Sequence, residues 1–276
     1  MGVSVLILTL NEEGILARCL ESVSWSDDIV VFDSYSTDRT VEIAKEYGAR
    51  VIQRRFDNER EHREASLRIR FKYEWVFNPD ADEITTPELR DELLQLMAEP
   101  QRAEVAYGVR RKELFLGRWI RHSSLYPTWF PRLFRPQQIH FERLINLTYV
   151  ANGPEGRLQN HLLHYSFNKG FDAWFEKHNR YSSAEALEYR KSLAERSWHW
   201  TGVFNLDPVL RRRALKEWAM RMPLRPTLRF LYMYLFRRGF LDGRAGFTYC
   251  RLLSIYEYLI YLKMQEIAIR EGGESL

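Results

Sequence analysis

Residues 3–10 (VSVLILTL) are a continuous apolar run rich in β-branched side chains, the pattern of a strand buried on both faces. Asn11-Glu12-Glu13-Gly14 interrupts it, after which Ile15, Leu16, Cys19, Leu20 and Val23 recur at helical spacing. Ile29–Phe32 repeats the strand pattern and ends at Asp33. The polar turn Ser34–Asp38 leads to a helix carrying Val41, Ile43, Ala44 and Tyr47, with Gly48 placed as its C-cap. A third strand is expected over Arg50–Ile52, a long polar helix over Asn58–Tyr73, and a fourth strand over Glu74–Asn78. Pro87 opens a further helix to Ala98. Strand and helix alternate four times, which predicts an α/β fold with a mostly parallel, doubly wound sheet whose ligands sit at the carboxyl ends of the strands. After residue 100 the alternation is lost. Short strands fit Val105–Arg111, Pro131–Arg135 and Asn160–Ser166, and helices fit Phe171–Tyr189, Pro208–Arg221, Pro226–Arg237 and Ala245–Glu271, with a break at Met222–Pro226.

This pattern divides the chain into an α/β domain over 1–205 and a helical region over 206–276. The charge divides in nearly the same place. The whole chain carries +4, but residues 208–251 hold eleven basic and two acidic side chains, a local +9 that leaves −5 for the remainder. With 45% hydrophobic residues there is ample material for a core, so a disordered chain is excluded. Two cysteines, Cys19 and Cys250, exclude a disulfide framework and a zinc ribbon. No run of about 18 apolar residues exists, and the longest candidate, Leu252–Leu262, is cut by Glu257. The first residues lack a basic segment ahead of their apolar run, so a cytoplasmic or peripheral protein is expected.

Asp80-Ala81-Asp82 leaves the fourth strand on the side facing the ligand crevice. Two carboxylates at i and i+2 can share Mg²⁺ or Mn²⁺, which take oxygen ligands and keep positions open for phosphate. A diphosphate leaving group needs that neutralisation. The same triplet also reads as an acidic turn before the helix at Pro87. Thr9, Asn11, Glu12 and Asp33–Asp38 gather at the ends of the first two strands, where an aspartate can accept hydrogen bonds from a pyrimidine or from ribose. Ser36, Thr37 or Asp38 also fits as the cap of the following helix. The G-x-G-x-x-G fingerprint is missing after the first strand, which disfavours a dinucleotide cofactor.

Together, Val5–Glu12 (VLILTLNE), Ile29–Thr40 (IVVFDSYSTDRT) and Trp75–Glu83 (WVFNPDADE) resemble the signature of the inverting family 2 glycosyltransferases, which have the GT-A fold. Arg110–His122 (RRKELFLGRWIRH), Tyr126–Phe134 (YPTWFPRLF) and Gly153–Tyr165 (GPEGRLQNHLLHY) resemble the lipopolysaccharide-core and exopolysaccharide glucosyltransferase subgroup. The resemblance implies transfer of a sugar from a nucleotide-sugar, usually UDP-linked, to a lipid-linked glycan. By position it implies Thr9, Glu12 and Asp33 as nucleoside ligands, with Asn11 and Asp38 in the same nucleotide-sugar site. Asp80 and Asp82 would meet diphosphate and metal, and His164 would complete the metal site. An acceptor hydroxyl also needs a general base. Where the subgroup commonly has a His-Glu pair, this chain reads Asn146-Leu147, so Glu142 is the first candidate and Glu155 the second. Glu142 fits equally as an ion-pair partner of Arg143 or another arginine. Arg60, Arg63 and Arg68 replace a Gln-Lys-Asn-like cluster and read as a solvated helix face or as diphosphate contacts. Trp119, Tyr126, Trp129 and Phe130 read as core or as a sugar platform.

In the basic region, Leu228, Leu231, Tyr232, Leu235 and Phe236 form an apolar stripe at helical spacing among Arg225, Arg229, Arg237 and Arg238. Such a helix can lie in the interface of an anionic membrane or pack against a core. No nucleic-acid module is present. The reading is a metal-dependent inverting glycosyltransferase on the inner face of the cell membrane. Its rivals are a sugar-nucleotide nucleotidyltransferase, which would want a glycine-rich basic loop after the first strand, and a catalytically degenerate membrane scaffold.

Overall fold

The computed structural model describes residues 2–98, 103–142, 148–194 and 224–272. The helix expected over 208–221, the Met222-Pro223 part of the break and the Asn146-Leu147 pair lie outside the described residues. The chain forms two compact units. One comprises Met1–Trp119 with Leu125–Asn168, the other Ile120–Ser124 with Lys169–Leu276.

The first unit is an α/β layer structure. Its strands are β1 (Val3–Thr9), β2 (Ile29–Asp33), β3 (Arg50–Gln53), β4 (Trp75–Phe77), β5 (Glu83–Thr85), β6 (Ala106–Phe115), β7 (Arg118–Trp119), β8 (Trp129–Phe134), β9 (Ile139–Glu142), β10 (Thr148–Ala151) and β11 (Glu155–His164). Its helices are α1 (Leu16–Ser22), α2 (Thr40–Glu46), α3 (Glu59–Leu67) and α4 (Pro87–Ala98). One sheet runs in the order β3-β2-β1-β4-β8-β6-β11-β5, with β7 attached to β6, while β9 and β10 form a separate hairpin. Strands β1 to β4 are mutually parallel. Strand β8 enters antiparallel between β4 and β6, and β11 runs parallel to β6. This mixed sheet, flanked by helices, is the GT-A arrangement expected of the sequence.

Burial explains the unbroken apolar runs. Along β1, Val3, Val5 and Ile7 join one core with Leu16, Leu20, Phe77 and Leu93, while Leu6 joins another with Val30, Phe32, Val76 and Phe134. Alternate side chains therefore enter different layers, and the polar Ser4 among them is tolerated because its hydroxyl donates to Asp28 at 2.5 Å. Helix α3 stops at Leu67, shorter than the expected span to Tyr73, because Ile69 and Phe71 leave the helical path to pack against the second core. Gly48 takes the left-handed conformation (φ +73°) just beyond α2, as a C-cap requires.

In the second unit, α5 (Gly170–Ala194) packs on α7 (Gly243–Glu271) through Ala186, Tyr189 and Ile260. Helix α6 (Arg225–Leu231) continues as a π-turn over Tyr232–Phe236, and a 3₁₀ turn over Gly239–Asp242 leads into α7. Ser254 Oγ donates to Pro226 O at 2.8 Å and Arg225 pairs with Glu257 at 2.6 Å, joining α6 to α7.

Candidate active site

The loops after β1 and β2 are sewn together by polar groups. Asn11 (φ 55°) and Tyr35 (φ 60°) occupy the left-handed region that few residues other than glycine adopt. Asn11 is held there by its neighbours: its Oδ1 accepts from Thr37 N at 2.8 Å and its own N donates to Ser36 Oγ at 2.9 Å. Glu12 N donates to Thr40 Oγ1 at 2.8 Å, and Glu13 N donates to Asp38 Oδ2 at 3.1 Å. Asp38 also accepts from Thr40 N, the first residue of α2, at 3.0 Å; the N-cap position itself is Arg39, which makes no side-chain cap bond, so none of Ser36, Thr37 and Asp38 occupies it. Burial alone would raise the Asp38 carboxyl, but hydrogen bonds from Thr40 and Glu13 outweigh it and hold the group below its ordinary value.

Asp33 is the hub of this network and is fully buried. Its Oδ1 accepts from Thr9 Oγ1 at 3.0 Å and from Ser36 Oγ, and its Oδ2 accepts from Ser36 N and from Gln53 Nε2, both at 2.9 Å. Both oxygens are thus occupied. A nucleoside that bonds to Asp33 must take the place of Ser36 or Gln53.

The loop after β4 carries the second cluster. Asn78 Nδ2 donates to Leu6 O at 2.7 Å, fixing where β4 ends. Asp80 turns to arginines: Arg132 Nη2 bonds its Oδ2, and Arg63 Nη2 lies 3.8 Å from its Oδ1. Arg132 also donates to the fully buried Glu83 at 2.8 Å, and Arg111 lies 3.6 Å from the same carboxylate. Burial opposes the charge on Asp80, but the Arg132 and Arg63 guanidinium groups prevail and hold its carboxyl well below the usual range. Arg63 also keeps the helix-face pairing its sequence context suggested, its Nε lying 3.4 Å from Glu59 Oε1. With Asn78, Asp80, Arg111 and Tyr149 it lines a cleft of about 230 Å³.

Asp82 belongs to a different group. His164 Nε2 lies 3.4 Å from Asp82 Oδ2, and His164 Nδ1 lies 2.7 Å from Glu113 Oε2. The sheet dictates this meeting, since β11 pairs His164 with Glu83 on one side and with Glu113 on the other. Ser166 Oγ holds the second oxygen of Glu113. Tyr165 N donates to Asp82 O at 2.9 Å, and Arg18 of α1 bonds the Tyr165 hydroxyl at 2.9 Å. Burial lowers the affinity of His164 for a second proton, but the bonds to Asp82 and Glu113 overcome this and push its pKa up to about 10.

The profile of the family described as Glycosyl transferase family 2 matches residues 4–153, which span β1 to the hairpin of β9 and β10. The chain belongs to glycosyl transferase family 2. An uncharacterized glycosyltransferase of Rickettsia typhi is 28% identical, covering 97% of this chain and 88% of its own length. The lipopolysaccharide core biosynthesis glycosyltransferase LpsC of Rhizobium meliloti is 27% identical, covering 96% of this chain and 93% of its own. Among solved structures, the mannosyltransferase PcManGT of Pyrobaculum calidifontis, in complex with GDP-Man and Mn²⁺, covers 95% of this chain and 86% of its own, at 15% identity and a TM-score of 0.49.

In this family 2 glycosyltransferase, Asp80 is paired with Arg132 and Asp82 with His164. Among the described residues, no three His, Cys, Asp or Glu side chains are placed to share an ion. What the fold supplies is a pair, Asp82 and His164, with Glu113 behind the imidazole. A carboxylate that accepts the far N–H of a histidine, leaving the near nitrogen beside a second carboxylate, is the donor set of a metal site with an ordering partner. One carboxylate is what Mg²⁺ commonly takes when substrate phosphates fill the remaining positions, and His164 would add a nitrogen donor on giving up its Nε2 proton. The residues fit a divalent cation on those terms.

The two candidate bases are not brought to this pair. Phe141, next to Glu142, lines the Asp80 cleft. Strand alternation sends Glu142 to the other face of β9, where its side chain is 59% exposed and lies 3.5 Å from His140. Glu155 begins β11 and His164 ends it, so roughly 30 Å of strand separates them. Of the proposed sugar platform, Trp119 packs edge-on to Tyr126 with ring centroids 5.1 Å apart. The ring of Trp129 lies under Arg157 at 4.7 Å and that of Phe130 under Arg111 at 3.9 Å. Sequence reasoning missed Glu83, Arg111, Glu113 and Arg132. All four lie inside segments that carried the family resemblance (WVFNPDADE, RRKELFLG and PRLF), and that was the available signal.

Proposed function

We propose that this glycosyltransferase moves a sugar, with inversion, from a UDP-linked donor to a lipid-linked glycan of the lipopolysaccharide core or another surface polysaccharide. It works at the inner face of the cell membrane and depends on Mg²⁺ or Mn²⁺. The observation that carries this reading is the placement of His164 between Asp82 and Glu113, beside a cleft where Arg63, Arg111 and Arg132 surround Asp80. The likeness to LpsC over almost the whole of both chains supports the class of acceptor.

In this reading the β1 and β2 loops hold the nucleoside through Thr9, Asn11, Glu12, Asp33 and Asp38. Asp82 and His164 would hold the divalent cation, whose charge would be available to a departing diphosphate. Arg63 and Arg111 stand where phosphate oxygens would meet bidentate donors. Arg132 keeps Asp80 ionised and in place. Glu113 orients His164 and keeps its Nε2 directed at Asp82.

The test is release of UDP from a panel of UDP- and GDP-sugars by the purified chain, with and without a lipid-linked core acceptor. We expect acceptor-dependent release with a UDP-sugar, abolished by EDTA, restored by Mn²⁺ and absent in Asp82→Ala. Donor binding without release from any sugar nucleotide would instead favour a degenerate scaffold.

A further inference from the structure

Helix α6 leaves its apolar stripe uncovered. Leu228 is 40% exposed, Leu231 38%, Tyr232 48% and Leu235 51%, positions that share one helical face. Phe236 follows at 80%, the most exposed of the large apolar side chains in the described residues, and Leu241 beyond the turn is 53% exposed. The stripe is not the face by which α6 packs. That role falls to the fully buried Met233 with Phe230 and Tyr234, which stack 5.3 Å apart and meet the half-exposed Phe247 of α7 edge-on at 5.7 and 5.6 Å. Behind the tip the backbone is locked by close approach: a Cβ on Gly246 would stand 2.2 Å from Gly239 O. A rigid helical hairpin therefore presents an apolar ridge outward.

The charge around the ridge has one sign. Between Leu224 and Tyr256 there are six arginines and a single acid, Asp242. Asp242 is buried and accepts from His122 N, Ser123 N and Ser123 Oγ, so it offers nothing to the surface. Arg238 and Arg244 are exposed on either side of the turn. A partner for this surface must be apolar in depth and anionic at the level of the guanidinium groups. A second copy would set arginines against arginines, a repulsive pairing. The 12 residues from Arg225 to Phe236 span roughly 18 Å as helix, too short to cross a bilayer but enough to lie in its interface.

We propose that the hairpin Leu228–Leu241 inserts its Leu235–Phe236 tip among the acyl chains of an anionic phospholipid leaflet while Arg238 and Arg244 bind the headgroups. The inference rests on the lipid-linked acceptor proposed above and deepens it by naming the residues that bring the enzyme to that acceptor's surface.

The test is flotation of the full chain with vesicles of phosphatidylcholine, alone or mixed with phosphatidylglycerol. The wild-type chain should float with the mixed vesicles only and be released by high salt. Leu235→Asp with Phe236→Asp, and separately Arg238→Glu with Arg244→Glu, should each lower the bound fraction at least about tenfold. Circular dichroism and UDP release in detergent-dispersed acceptor should stay unchanged. Full retention of binding by both double variants would overturn the inference. So would a dimer in solution that Phe236→Asp dissociates while vesicles bind nothing, or preferential retention on RNA. Vesicle binding without UDP release from any donor would overturn the transfer reading alone; release without vesicle binding would overturn this inference alone.

Discussion

His164 shows how much one side chain depends on groups far from it in sequence. Its imidazole is useful to a cation only if one nitrogen is committed elsewhere, and Glu113, on the neighbouring strand, takes that nitrogen at 2.7 Å. Replacing Glu113 with Gln keeps the volume but weakens the hydrogen bond. We expect Mn²⁺ affinity in the presence of UDP, read by calorimetry, to fall by about 10- to 100-fold. Protein stability should change little by comparison. Glu142 makes the opposite case. Its carboxylate lies on the outer face of β9, so we expect Glu142→Gln to keep kcat within about threefold, where loss of a general base costs about a hundredfold or more. A loss of that larger size would place Glu142 at the acceptor hydroxyl.

His62 adds a pH effect of definite sign. It is 3% exposed, 3.1 Å from Ser34 Oγ, and packed on Phe32. Burial, then the charge of Arg54, depresses its pKa. The unfolded chain thus takes up a proton that the folded chain refuses. Its contribution to stability is present above the unfolded pKa of about 6.5 and is lost as pH falls toward the lower folded value. Urea unfolding between pH 7.5 and 5.5 should show a slope that His62→Gln reduces.

At the scale of elements, the first half of the sheet was legible because β1, β2 and β4 are buried on both faces and read as nearly unbroken apolar runs, whereas β3, with Arg50 and Gln53 exposed, shows only its Val51-Ile52 pair. The strands beyond residue 100 were only partly so. Strand β6 carries Arg110, Arg111, Lys112 and Glu113 in succession, a stretch that periodicity assigns to no core. These side chains are tolerated because they pair across strands, with Arg111 reaching Glu83 and Glu113 reaching His164. The short strands β5 and β7 have too few residues to show any period. The same limit hid the ion pair between Arg132 and Asp80, whose partners are 52 positions apart. On α6 the sequence showed an amphipathic stripe without telling inside from outside, because that depends on where Phe230 and Tyr234 find Phe247.

The hairpin that resolves this question has its own weak points. Asp242 receives three hydrogen bonds from His122 and Ser123 in a buried setting. Asp242→Ala would leave the His122 and Ser123 N–H groups without this acceptor and Ser123 Oγ with only Gly239 O at 3.5 Å, and we expect a loss of about 3 kcal/mol in urea unfolding. Gly246→Ala forces a methyl group against the Gly239 carbonyl and should cost about 1–3 kcal/mol. If the Gly246 variant is as stable as the parent, the close approach that holds the tip is not structural.

At the scale of the whole molecule, chemistry and charge are assigned to different compact units. The Asp82–His164 pair, the arginine cleft and the loops after β1 and β2 all lie within Met1–Trp119 and Leu125–Asn168, whereas the exposed apolar ridge lies within Lys169–Leu276. Among the described residues no helix is long and apolar enough to cross a membrane. In those residues the proposed lipid attachment is interfacial, and it belongs to a different compact unit from the Asp82–His164 pair. Hydrogen exchange can test that separation on the intact chain. UDP with Mn²⁺ should slow exchange in residues 9–14, 33–40 and 78–83 and at the ends of β6 and β11, and leave residues 225–241 unchanged. Anionic vesicles should slow exchange in 225–241, where ligand-free protection is set by a short helix and two irregular turns, and leave the first set unchanged. A nucleotide footprint that extended over 225–241 in the absence of lipid would mean that the hairpin takes part in donor binding, and the division of labour would then have to be abandoned.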